Sequence, residues 1–98
     1  MEINKTVNGN QITLSLVGRL NTNTAGELEA VIETLQEGAD VTLECSKLEY
    51  LSSAGLRVLL LFQKRVGKQI NSLTLENVIE DVYEVLDMTG FSSILNIK

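Results

Sequence analysis

The chain has 98 residues, 44% apolar and 21% charged, which fits one globular domain that can build its core without staples. Its net charge of −5 argues against a nucleic-acid partner, because such binding rests on neutralising phosphates with Lys and Arg. With no histidine and the single cysteine Cys45, a Ser-His-Asp triad, a His-rich metal site and an internal disulfide are all excluded.

In chain order, segment 2–7, EINKTV, alternates with Ile3 and Val7 on one face, and Asn8-Gly9 supplies the positive φ angles of a tight hairpin turn. Segment 10–17, NQITLSLV, alternates again through Ile12, Leu14 and Leu16, and Gly18 is expected to end that strand. Segment 19–23 reads as a loop. Thr24-Ala25-Gly26-Glu27 has the form of a capping box, followed by Leu28, Val31, Ile32 and Leu35 at helical spacing until Gly38. Segment 40–45, DVTLEC, is a short strand. A second helix follows the turn Ser52-Ser53-Ala54-Gly55 and is expected to run to about Gly67. Asn71–Glu76 is another strand. Val78, Val82, Val85 and Leu86 suit a third helix closed by Gly90, and the tail SSILNIK is a last strand.

The order β-β-α-β-α-β-α-β predicts an α/β fold, one domain over residues 1–98, with a mixed sheet whose central strands are parallel. No segment reads as a linker or a repeat. The longest unbroken apolar run, Val58–Phe62, is too short to cross a bilayer, and the start MEINKTVNGN has no signal-peptide character. A single cysteine fits a reducing compartment, so a cytoplasmic protein is expected. No glycine-rich phosphate loop is present, and the thirteen carboxylates are spread along the chain as a solvated surface rather than an acid/base pair. No enzyme, cofactor or metal site is therefore expected.

On a helical wheel, Leu56, Val58, Leu59, Leu60, Phe62 and Val66 fill one broad arc, with Gln63 among them. The opposite arc holds Ser53, Arg57, Leu61, Lys64, Arg65 and Lys68, a basic stripe headed by a serine with one apolar member. Ser52 or Ser53 suits an N-cap, and bases near a helix C-terminus complement its dipole. Gly55 is harder to place. Inside a first turn it costs about 1 kcal/mol against alanine, so something must need close access to the backbone there. A phosphoryl group on a serine at this position would meet free N–H groups and the positive end of the helix dipole.

Three stretches carry a family resemblance. LECSKLEYLSSAGLRVLL resembles the signature of STAS domains, the bacterial anti-sigma factor antagonists: a strand, D-x-S, an apolar step, D-S-S-G-L and an apolar helix. GRLNTNTAGELE is similar to the family's G-x-L-D-x-x-T-A, and LDMTGFSSILNI to its F-D-M-S-G-L-x-x-I. The resemblance covers essentially the whole chain and implies the sporulation anti-anti-sigma-like fold. It also implies a regulatory binding module that docks an anti-sigma serine kinase of the histidine-kinase ATPase superfamily. That kinase phosphorylates the module, and a PP2C-type phosphatase restores it. Aligned on Gly55-Leu56, the phospho-acceptor is Ser53, while Ser52 and Asn21 stand where the family carries Asp and Ala54 where it carries its second Ser. Partner docking is then expected on Asn21, Thr22, Ser52, Ser53, Ala54, Gly55, Arg57, Leu61 and Lys64. Many members carry one further helix after the last strand. The alternative that the resemblance leaves open is an unphosphorylated docking subunit of a lipid-transport or signalling complex.

Overall fold

A computed structural model describes every residue from Met1 to Lys98. The first hairpin joins β1 (Glu2–Asn8) to β2 (Gln11–Leu20). Asn8 pairs with Gln11, so the two-residue turn is Gly9-Asn10, one place later than expected, and only Gly9 takes a positive φ, +63°. The other elements are α1 (Ala25–Glu33), β3 (Asp40–Glu44), β4 (Leu48–Leu51), α2 (Ser53–Lys64), β5 (Ser72–Glu76), α3 (Glu80–Met88) and β6 (Asn96–Ile97). The sheet order is β1-β2-β3-β5-β6, antiparallel at β1–β2 and parallel elsewhere. This is the expected α/β architecture with a mixed sheet.

The sequence reading misses one strand. Gly18 does not end β2. It sits at φ +109° beside a register shift at Gly18/Arg19, donates its N–H to the Lys47 carbonyl at 2.9 Å, and lets β2 bend and continue to Leu20. The extended end pairs in parallel with β4, matching Arg19 with Tyr50 and Leu20 with Leu51. In β4 only the two end residues, Leu48 and Leu51, are buried, so LEYL shows no period-2 signal.

Burial alternates along β2, β3 and β5. Ile12, Leu14, Leu16, Val41, Leu43, Leu73 and Leu75 face the core, joined there by Leu28 and Ile32 of α1 and by Leu56, Val58, Leu59 and Phe62 of α2. No charged or polar residue is buried, so the core rests on apolar burial, about 1.5–3 kcal/mol for each large side chain. The other sheet face stays partly open and carries a row of matched threonines, Thr6, Thr13, Thr42 and Thr74. On that face, hydrogen bonds from Asn71 and Ser72 hold the Asp40 carboxyl below its ordinary range. Bonds from Ser46 and, more weakly, Asn77 do the same for Glu44.

Helix α2 stops at Lys64, short of Gly67. The Arg65 carbonyl accepts the N–H groups of Lys68, Gln69 and Ile70, folding the chain into a turn. Arg65 also leaves the expected basic stripe: its guanidinium donates to Glu33 and to Gln69, each at 2.6 Å. The Gln69 amide in turn donates to the carbonyls of Ile32, in the last turn of α1, and of Leu35, just beyond it. The tail is less of a strand than expected. Phe91–Ser93 form one 3-10 turn and only Asn96–Ile97 pair with β5.

Gly55 meets the tightest contact of any glycine here. A Cβ at Gly55 would lie 2.8 Å from the Leu20 carbonyl oxygen and 2.8 Å from Leu51 Cδ1. The close approach inferred at this position is therefore made by the chain's own backbone. Gly55→Ala should destabilise the fold by about 1–3 kcal/mol. Gly26→Ala, in open space within α1, should be neutral or stabilise by up to about 1 kcal/mol; urea denaturation measures both. Burial, and secondarily the Glu44 charge, push the Cys45 thiol up to about 12. The folded state thus favours the protonated thiol, and this contribution to stability is lost as pH rises from the ordinary thiol range toward 12. At pH 8 a thiol reagent should leave folded Cys45 unmodified and label it only in denaturant.

Candidate functional site

The two serines at the mouth of α2 have different positions and different tasks. Ser52 is the N-cap, with extended backbone at φ −96° and ψ 176°, and its hydroxyl accepts the Gly55 N–H at 3.3 Å. Its own N–H donates to the Leu20 carbonyl at 3.0 Å, and its carbonyl accepts the Leu56 N–H at 2.9 Å. Ser53, the first helical residue, is exposed and takes no part in the cap. One turn on, Arg57 is exposed and in no ion pair. Leu61, read as the one apolar member of an exposed stripe, is half-buried. Lys64 is exposed in the last turn, where a cation complements the helix dipole.

The loop between β2 and α1 is held by Asn21 and Thr24. The Asn21 side-chain oxygen accepts the N–H groups of Asn23 at 3.0 Å and Thr24 at 3.2 Å. The Thr24 hydroxyl accepts the Asn21 N–H at 2.9 Å and donates to the Arg19 carbonyl at 2.7 Å. The expected capping box is therefore not formed. Thr24 sits at φ −111° and ψ −14°, outside the extended region that aims a cap side chain at the helix, and its hydroxyl is turned back into the loop.

Where α1 and α2 pack together they leave a groove of about 420 Å³. One wall is Thr22 of the preceding loop with Ala25, Gly26 and Glu29 of α1. Ala54, Arg57, Val58 and Leu61 form the α2 wall. Of the expected site residues, Thr22, Ala54, Arg57 and Leu61 come together here, with Ser52, Ser53 and Gly55 at the same end of α2. Asn21 shapes the loop next to Thr22 without lining the groove, and Lys64 lies outside it. The sequence reading misses Ala25, Gly26 and Glu29 because it assigned α1 to core packing and a cap, and Val58 because it placed that residue on the buried arc of α2. A glycine inside a helix was the available signal. Arg19 does not line the groove; its guanidinium sits 4.1 Å from the Tyr50 ring centre on the β2–β4 pair. No group of three or more acidic or thiol side chains is placed to hold a metal.

A family model described as "Mlab, STAS domain" matches residues 3–96. The anti-sigma-B factor antagonist of Bacillus subtilis (strain 168) is 34% identical over 101 residues, spanning 100% of this chain and 93% of that protein. BtrV of Bordetella bronchiseptica, described as a candidate anti-sigma factor antagonist, is 37% identical over 81 residues, 81% of this chain and 70% of its own. Among solved structures, a candidate anti-sigma factor antagonist from Thermotoga maritima matches with a TM-score of 0.85 at 19% identity, covering 97% of this chain and 84% of the other. The anti-sigma factor antagonist SpoIIAA in its unphosphorylated form matches at 0.78 and 14% identity, covering 99% and 88%. At those identities the structural likeness is one of fold alone.

The division between the serines has a direct consequence. Ser52→Ala should cost about 1 kcal/mol through loss of the cap, whereas Ser53→Ala should leave stability within about 0.5 kcal/mol; thermal and urea unfolding of both variants checks this.

Proposed function

The chain belongs to the STAS domain family, and from that premise we propose that it is an anti-sigma factor antagonist whose docking to an anti-sigma serine kinase is switched by phosphorylation of Ser53. The observation that carries this reading is an exposed serine at the start of α2, left free because Ser52 makes the cap, with unpaired Arg57 one turn below. It occurs in a chain 34% identical to a named antagonist.

In this reading the unphosphorylated protein docks on the kinase through the α2 mouth and the neighbouring loop: Asn21 and Thr22, Ser52 to Gly55, and Arg57, Leu61 and Lys64. The kinase transfers the γ-phosphoryl group of ATP to Ser53 Oγ, releasing ADP and the hydroxyl proton. The product carries close to two added negative charges beside the Ser53 and Ala54 N–H groups, which the cap does not use. The helix dipole and Arg57 favour that charge, so the fold tolerates it. A partner seated on the same surface meets repulsion and a displaced contact. A PP2C-type phosphatase hydrolyses the ester and restores docking. The module performs no catalysis itself and works in the cytoplasm beside its kinase.

A second reading rests on Asn21 and Ser52, neutral where a phosphorylated site of this type carries carboxylates and each committed to local hydrogen bonds. Here the chain is an unphosphorylated docking subunit of a lipid-transport or signalling complex. Recovery of transporter subunits in place of a kinase in a pulldown favours it.

Incubation with the anti-sigma kinase and ATP should place one phosphate, mapped by mass spectrometry to Ser53; phosphate elsewhere or nowhere defeats the switch. Ser53→Asp should keep its melting temperature and weaken kinase binding at least about tenfold, or about 1.4 kcal/mol. Unchanged binding argues against a charge mechanism.

A further inference from the structure

Six of the seven glycines have an internal reason. Five adopt a positive φ, and Gly55 makes room for Leu20. Gly26 has neither. It lies in the first turn of α1 with an ordinary helical φ, and a Cβ there would meet nothing within 4 Å. Alanine would serve the helix better. What Gly26 does is leave the α1–α2 groove open: it forms one wall opposite Ala54, another small residue.

We infer that this groove is the anchor pocket of the docking surface, kept open by Gly26 to receive an apolar side chain of the anti-sigma partner. The inference rests on the docking role proposed above. Val58 and Leu61 give the pocket its apolar lining, while Glu29 and Arg57 place opposite charges along it, neither engaged in an ion pair. A ligand of one sign, such as a free phosphate or a polyamine, would meet a like charge here. A protein segment with an apolar residue between an acid and a base satisfies both, with the acid against Arg57 and the base against Glu29. The groove begins at Ala54, adjacent to Ser53, so anchor and switch form one continuous surface. Phosphorylation then acts at the rim of the pocket that the partner must fill.

The test is calorimetric titration of wild type, Gly26→Ala and Gly26→Leu with each anti-sigma serine kinase encoded by the source genome. The Ala variant, which puts one methyl group into the groove, should lose at least about threefold, and wild-type affinity there overturns the role given to the glycine. The Leu variant, whose side chain plugs the groove, should lose at least about tenfold while keeping a wild-type circular-dichroism spectrum and melting temperature. Wild-type affinity in the folded Leu variant overturns the pocket and leaves the Ser53 reading standing. Absence of kinase binding by wild type overturns both. Self-association of wild type abolished by the Leu substitution would make a second copy the occupant and overturn the assignment to the kinase. Should the Leu variant fail to fold, methyl NMR of the wild type decides: adding kinase must shift or broaden Val58 and Leu61, and unchanged signals overturn the pocket.

Discussion

The close approach of Gly55 to the end of β2 is the constraint on which the rest of the site depends. Leu20 and Gly55 are held so near that no side-chain carbon fits between them, and the Leu20 carbonyl also takes the Ser52 N–H. This fixes where α2 begins and which serine caps it. Because Ser52 is anchored on its backbone side and folded back onto Gly55 through its hydroxyl, Ser53 is left facing outward. The same carbonyl is the last of β2, immediately before the loop that Asn21 and Thr24 brace. One backbone contact thus sets the helix mouth, the loop and the groove between α1 and α2.

Much of this was legible from periodicity. Ile12, Leu14 and Leu16, then Val41 and Leu43, then Leu73 and Leu75, alternate because each strand has one face on the core, and the wheel of α2 separates Val58, Leu59 and Phe62 from Arg57 and Lys64 for the same reason. What escaped the pattern was non-local. β4 has no alternation of its own and exists because Gly18 bends β2 toward it. The capping box at Thr24 failed because the loop outbid the helix for that hydroxyl. Arg65 was read as a surface cation, yet its partners are Glu33, thirty-two positions earlier, and Gln69. Gly55 was recognised as needing a neighbour, but which neighbour is a tertiary fact.

The site shows the same division. Its α2 half, Ser52 to Leu61, could be read directly because motif and wheel coincide there. Its α1 half could not, since Gly26 and Glu29 become meaningful only when two helices distant in sequence lie side by side. The physical reading brings together on one surface an exposed serine, an arginine in no ion pair and a groove with small residues in its walls. Asn21 and Ser52 are each committed to local hydrogen bonds that hold the loop and the helix mouth in place.

The claim at the centre of this account is that charge at Ser53 governs docking without altering the fold. Its most direct measurement compares the affinity of enzymatically phosphorylated and unphosphorylated protein for the anti-sigma kinase by calorimetry, with amide NMR spectra of both forms recorded alongside. The account predicts that only the unphosphorylated form binds and that amide shifts on phosphorylation stay confined to residues around the start of α2. Equal affinity of the two forms, or shifts spread through the core, would contradict it.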